Sequence, residues 1–215
     1  MLVEKWMTRK PLIVSEDDSL GTAIHLLKDH RIRRLPVVAP DGAVIGIITD
    51  RDVRSASPSR ASTLDIWELH FLLEKLKVKD VMTRGALTIT PDTTIERAAL
   101  TMLEKRIGGL PVVDAAGALI GILTDGDVFR ALTEVTGVAL RKTRVSLLLP
   151  DEAGTIRQVA DICRENGGKI LSILVSYAKV PEGQRELIMR VDSPDEEALK
   201  RDLGARFSGV VVQKD

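Results

Sequence analysis

The chain reads as an α/β (α+β) protein: a duplicated strand–helix–strand–strand–helix unit followed by a shorter tail of βαββαβ order. Three observations carry this. Leu35–Val53 (LPVVAPDGAVIGIITDRDV) returns as Leu110–Val128 (LPVVDAAGALIGILTDGDV), 75 positions on, without insertion or deletion. Over Val3–Val53, roughly two residues in five are identical between the copies, so the repeat is the first thing to read. Beyond about residue 142 the repeat stops and a new alternation of apolar runs begins.

The first copy spans residues 1–56. Val3–Arg9 (VEKWMTR) recurs in part as Val78–Arg84 (VKDVMTR). Leu12–Val14 is a short strand candidate. The run Ser15–Ser19 (SEDDS) supplies cap residues for a helix whose apolar face carries Leu20, Ala23, Ile24 and Leu27 at helical spacing. Arg31–Arg34 (RIRR) leads into the strand LPVV, and Pro40-Asp41-Gly42 makes a hairpin turn. Val44–Thr49 is apolar almost throughout, as a strand covered on both faces would be. Asp50–Arg54 opens a second helix. A unit of about 50 residues is marginal for an independent core, so each copy should pack against its twin.

Residues 57–77 read as a linker helix. Ser57-Pro58-Ser59 breaks the chain, Ser62 and Asp65 suit a capping box, and Leu64, Trp67 and Phe71 form an apolar stripe. That stripe fits either packing on the repeats or a dimer contact, and His70 beside it has no second ligand in view. The second copy spans 78–136, with Thr133–Lys142 as a link. In the tail, 143–215, strands are expected at Val145–Leu149, Ile170–Tyr177, Glu186–Val191 and Val210–Val212. One helix begins at Thr155 and stops at Asn166-Gly167-Gly168. Another runs from Asp195 to about Leu203, with Ser193 as its cap and Pro194 at its first position. The order β-α-β-β-α-β is that of a ferredoxin-like sandwich.

Composition excludes several function classes. Lys+Arg and Asp+Glu both number 31, so the formal net charge is zero and long-range attraction to nucleic acid or an acidic membrane has no source. Aromatics are 3% of residues, too few for base-stacking platforms. The apolar runs are far shorter than the roughly 20 residues of a membrane helix, and MLVEKWMTRK has no apolar signal core. The one cysteine, Cys163, reads as a core residue on a helix, and its solitude excludes an internal disulfide. A cytoplasmic protein is expected. There is no nucleophile elbow, no His-x-x-x-His, no cysteine pair and no phosphate loop, so neither a catalytic residue, a catalytic cofactor nor a metal site is expected.

What remains is a small polar pair delivered twice: Thr49/Asp52 and Thr124/Asp127, each where an apolar strand passes into a helix. The unpaired N–H groups of a helix's first turn favour an anion, the Thr hydroxyl can donate to it, and the Asp can accept from a ribose diol. Helix capping alone would use the same residues.

The Met-Thr segment, the LPVVD-like strand and the GI(I/L)TD-x-DV segment together resemble the CBS domain. The likeness covers essentially all of residues 1–132. CBS domains occur as tandem pairs (Bateman modules) and bind adenosyl compounds such as AMP, ADP, ATP or S-adenosylmethionine, so the resemblance implies a regulatory ligand of that kind. By position it assigns Thr49/Asp52 and Thr124/Asp127 to phosphate and ribose. Each cleft would draw its adenine contacts from the opposite copy: Leu87, Ile107 and the Gly108 backbone for the first, and Leu12, Ile32 and Arg33 for the second. A basic residue just before the Leu-Pro strand often meets phosphate in the family. Arg33 and Arg34 stand there in the first copy, but Gly108 and Gly109 stand there in the second, so unequal clefts are expected.

More loosely, the tail resembles an ACT domain through Asp151–Ile156 (DEAGTI). The resemblance implies homodimerisation and an amino-acid ligand, its carboxylate on the N–H groups of Gly154, Thr155 and Ile156, its amino group on Asp151, and Asn166 as a further polar contact. The whole order, with the linker WELHFLLEKLKVKDVMT, is similar to bacterial acetoin-utilisation regulatory proteins. The function implied is a non-enzymatic ligand sensor acting on a receiving protein of unspecified identity. The alternative is a structural or interaction subunit of an enzyme or transporter assembly, with empty clefts.

Overall fold

The computed structural model of the protein describes residues 1–56 and 73–214. The Ser62 cap and the Trp67, His70 and Phe71 stripe of the linker lie outside the described residues. The chain divides into two compact units, Met1–Phe129 and Arg130–Asp215.

In the first unit, each copy builds a hairpin from its longest apolar runs. β3 (Arg34–Val38) pairs antiparallel with β4 (Val44–Thr49), and β6 (Gly109–Val113) with β7 (Leu119–Thr124). The tips of the two hairpins meet, with Ala43 bridged to Ala118 and Leu119 N–H donating to the Gly42 carbonyl at 3.1 Å. Helix α1 (Leu20–Asp29) is capped by Ser19, whose side chain accepts from Thr22 N–H, as the SEDDS run predicts. Its apolar face joins Leu35, Val37, Ile48, Val78 and Met82 in one core. Two more helices follow β4 and β7 directly: α2 (Asp50–Ala56), preceding α3 (Val78–Val81) and α4 (Ile95–Lys105), and α5 (Asp125–Val135). α5 continues past Arg130 into the second unit, so part of the expected Thr133–Lys142 link is helical.

The copies are not independent halves. β1 (Thr8–Arg9) leaves the first copy and pairs with β7 of the second, Thr8 opposite Ile122. β5 (Thr83–Arg84) leaves the second copy and pairs with β4 of the first, Thr83 opposite Ile47. The expected strand at Leu12–Val14 is reduced to β2 (Val14–Ser15), parallel to β3. The sheets are therefore β1-β7-β6 and β2-β3-β4-β5, each sealed by a strand from the other copy. Packing against the twin, expected because 50 residues make a thin core, takes the form of exchanged edge strands.

The second unit is a βαββαβ sandwich: β8 (Thr143–Pro150), α6 (Thr155–Glu165), β9 (Lys169–Ser176), β10 (Gln184–Asp192), α7 (Glu196–Gly204) and β11 (Ser208–Gln213). Its antiparallel sheet has the order β11-β8-β10-β9, the ferredoxin-like arrangement. Val145, Leu147, Leu149, Leu187, Met189 and Val191 face Val159, Ile162, Cys163, Leu199 and Leu203 of the two helices. One expectation is corrected: α7 is capped by Asp195, which accepts from Ala198 N–H, not by Ser193, whose hydroxyl instead donates to the Asp195 carbonyl. A carboxylate immediately before the helix outcompetes the more distant hydroxyl for the free N–H.

Candidate functional site

Thr49 ends β4 and Asp52 lies in the first turn of α2. Asp52 Oδ2 accepts from Thr49 N–H at 2.9 Å and from its hydroxyl at 2.7 Å, while Asp52 N–H donates to Thr49 Oγ1 at 3.3 Å. The pair thus forms a reciprocal capping box. Thr124 and Asp127 repeat the two bonds to the carboxylate, both to Asp127 Oδ2 at 2.7 Å. One expectation changes as a result: the Thr49 hydroxyl proton is given to Asp52 and is not the donor held ready for a phosphate. Asp52 is only partly covered, whereas Asp127 is buried, at 1% exposure.

The Thr49/Asp52 pair opens onto a cavity of about 590 Å³. Its wall gathers residues of both copies: Ile47, Thr49 and Asp52 from one, Leu87, Ile107 and Gly108 from the other. The strand exchange makes this meeting possible, because β5 carries the chain from β4 directly to Leu87. Arg34 lines the cavity and Arg33 does not; Arg33 is exposed, its carbonyl accepting from Asp50 N–H at 2.9 Å. Leu12 and Ile32 also stand outside this cavity. Leu12 is exposed just after the stretch that runs along β7, where Lys10 N–H meets the Ile120 carbonyl, and Ile32 packs on the first core.

The glycines that replace arginine in the second copy have a steric reason. Arg34 reaches across from β3, donates to the Gly108 carbonyl and pairs with Asp125 at 3.5 Å. A Cβ at Gly109 would lie 2.6 Å from Arg34 Cδ, and one at Gly108 would lie 2.8 Å from Asp125 Oδ2. One copy's arginine occupies the space that the other copy's side chains vacate.

Five charged wall residues escaped the sequence reading. Arg51 precedes Asp52, and Lys105 and Arg106 close α4 just before Ile107. Asp125 is the counterpart of Asp50 in the repeated Thr-Asp-x-Asp, so its signal was present in the repeat itself. Among the described residues, no ion pair engages Arg51, Lys105 or Arg106; Asp50 is held by Arg54 at 3.0 Å.

In the second unit the Asp151–Ile156 turn is closed by Arg185. This guanidinium pairs with Asp151 at 3.4 Å and donates to the Glu152 carbonyl and to Thr155 Oγ1 at 3.0 and 2.8 Å. Tyr177 donates to Asp151 at 3.3 Å. Gly154 caps α6 in a left-handed conformation (φ +89°), and Thr155 and Ile156 begin the helix. Asn166 stands at the opposite end of α6, where its amide donates to Asp202 at 3.1 Å. That bond, with Arg201, holds the Asp202 carboxyl below its ordinary range. Asn166 is therefore not brought together with Asp151 within the chain.

Among the described residues, no three His, Cys, Asp or Glu side chains stand close enough to hold a metal, and no helix is long and apolar enough to cross a membrane.

The family model for the CBS domain matches residues 3–59 and 78–134. The CBSX2 structure with AMP, from the Arabidopsis thaliana protein, is 34% identical with a TM-score of 0.52, covering 62% of this chain and 97% of that one. The CBS pair of MJ0100 with 5-methylthioadenosine and S-adenosyl-L-methionine is 28% identical with a TM-score of 0.51, covering 61% and 99%. The Vibrio cholerae protein AcuB, named for acetoin utilization, is 27% identical with a TM-score of 0.54, covering 65% and 96%.

Proposed function

The chain belongs to the CBS domain family, and from that premise we propose that it is a cytoplasmic regulatory sensor of an adenosine-containing nucleotide, bound in the Thr49/Asp52 cavity. One observation carries the reading: a single cavity collects the capped Thr-x-x-Asp of one copy and the apolar Leu87 and Ile107 of the other. Adenine lies against those apolar side chains. The ribose hydroxyls donate to Asp52, whose Oδ1 makes no hydrogen bond among the described residues, and the phosphate faces Arg34 and the rim cations. Two solved CBS relatives carry AMP or S-adenosyl-L-methionine, which supports this ligand class. Thr124/Asp127 with Leu12, Ile32 and Arg33 forms the second, less charged site. A ligand that binds one arrangement of the copies better than another shifts the balance between them.

The second unit acts as an ACT-like module that pairs two copies of the chain and takes an amino acid at the Gly154–Ile156 turn, coupling a second signal to the first. The likeness to AcuB supports a place in acetoin utilisation. Calorimetric titration with AMP, ATP and S-adenosylmethionine tests the reading. Heat of binding is expected, with the share from the Thr49/Asp52 site lost in Asp52→Ala; no heat with any of the three overturns the reading and favours an assembly subunit with no ligand.

A further inference from the structure

We infer that Arg34 and Asp125 form a latch between the two copies that a phosphate opens. The inference rests on the nucleotide reading above and adds how the site is regulated. Arg34 is deeply set, its side chain 13% exposed, and lines the cavity beside Thr49 and Asp52. Its guanidinium is committed to the other copy, to the Gly108 carbonyl and to Asp125. Gly108 and Gly109 admit it, since a side chain at either would collide with it. Asp125, at 44% side-chain exposure, is the more solvated partner and the weaker competitor for a guanidinium. A phosphate carries more charge and more acceptor oxygens than a carboxylate and matches the same planar fork.

A phosphorylated ligand in the cavity therefore exchanges with Asp125 on Arg34. A neutral adenosine has no anionic oxygen to offer in this exchange and leaves the latch closed. Asp125 is the first residue of α5, the helix whose later residues belong to the second unit. Its release frees the start of that helix, so charge on the ligand, rather than adenine recognition, is what the far end of α5 reports. The Asp125 N–H bond to the Gly108 carbonyl, 2.9 Å, anchors residue 125 itself, so the loosening falls on the residues after it, where Gly126 N–H donates to Asp125 Oδ1 at 2.9 Å.

The test titrates full-length chain with AMP and with adenosine, comparing wild type, Asp125→Asn, Arg34→Met and the double variant. Removing Asp125 takes away a competitor, so Asp125→Asn binds AMP about two- to fivefold more tightly and adenosine unchanged. Arg34→Met binds AMP no better than adenosine, and in its background Asp125→Asn has no further effect. Amide exchange at residues 126–128 rises on AMP addition in wild type and not in Arg34→Met. Unchanged or weaker AMP binding by Asp125→Asn with adenosine intact overturns the latch while leaving the nucleotide reading standing. Arg34→Met with wild-type AMP affinity overturns it as well, should Asp125→Asn fail to fold. Absence of binding by both ligands to wild type overturns the underlying reading and the latch with it.

Discussion

Gly46 of the first copy lies against Thr83 of the second: a Cβ at Gly46 would stand 2.7 Å from the Thr83 carbonyl oxygen and 2.9 Å from Met82 Sδ. The mirror contact sets Gly121 against Thr8, with 3.1 Å to its carbonyl and 2.6 Å to Met7 Sδ. The repeated Ile-Gly-Ile is thus a seat for the exchanged Met-Thr strand. Gly46→Ala pushes on backbone, whereas Gly121→Ala pushes mainly on a thioether that swings aside. Gly46→Ala should destabilise by about 1–3 kcal/mol and Gly121→Ala by less. Denaturant unfolding of both variants measures this; equal stability of Gly46→Ala and wild type would contradict the exchange.

The two capping pairs should differ in stability as well as in access. Asp127 is 1% exposed, so Asp127→Ala strands the Thr124 N–H and hydroxyl in a covered place. Asp52 is partly open, and water can replace it at Thr49. Losing a cap alone costs about 1 kcal/mol, and an unsatisfied buried donor adds about 1–3 kcal/mol. Asp127→Ala should therefore melt well below Asp52→Ala in the absence of any ligand. If the order is reversed, the burial argument is wrong, and Asp52→Ala is then the poorer probe of binding.

The sequence made the duplication, the hairpins and the Thr-x-x-Asp junctions readable, because each is local: an apolar run, a Pro-Asp-Gly turn, a cap. It left open where the Met-Thr-Arg segments go. Thr8 and Thr83 bear the same relation to either hairpin in a chain repeated at a fixed offset, so self-pairing and exchange have the same pattern. The asymmetry of Arg33-Arg34 against Gly108-Gly109 was visible as a difference in charge. Its steric cause was not, because Arg34 fills the space over the glycines only after the copies close on one another. At Asn166 the resemblance implied a ligand contact, but the length of α6 carries it away from Asp151 and to Asp202.

That Asn166–Asp202 bond sets a pH dependence. The Asn166 amide and Arg201 hold the Asp202 carboxyl below its ordinary 3.8. A carboxyl lowered in the folded state stabilises the fold above its unfolded value and loses that contribution as pH falls through the folded one. Acid unfolding of Asn166→Ala should show a shallower loss of stability below pH 4 than wild type. Identical acid limbs would mean that the bond contributes nothing.

The proposed pairing of chains through the second unit has an open edge to use. β9 is a border strand of its sheet, and Ile173 and Val175 on it are 43% and 39% exposed. Exposed apolar side chains on an unpaired edge invite another strand, and a charge there forbids it. Val175→Lys should shift the mass measured by light scattering from dimer to monomer at micromolar concentration while leaving nucleotide affinity intact. A variant that stays dimeric moves the interface elsewhere.

Cys163 supplies a test of the second unit's core. It is fully buried between Val159, Ile162 and the sheet, and burial pushes its thiol from 9.0 up to about 11. The thiol is neutral in the folded chain at physiological pH and should resist a thiol reagent at pH 8 until the unit unfolds. Because the folded value is raised, the contribution is fully present below pH 9 and is lost as pH rises from 9 to 11, where the unfolded chain ionises first. The loss approaches about 3 kcal/mol at the upper end of that window. Cys163→Ala pays a fixed packing penalty at every pH but has no thiol to ionise, so its stability should fall less steeply between pH 9 and 11. Equal slopes, or rapid labelling of the native chain at pH 8, would mean that α6 opens far more readily than its packing implies.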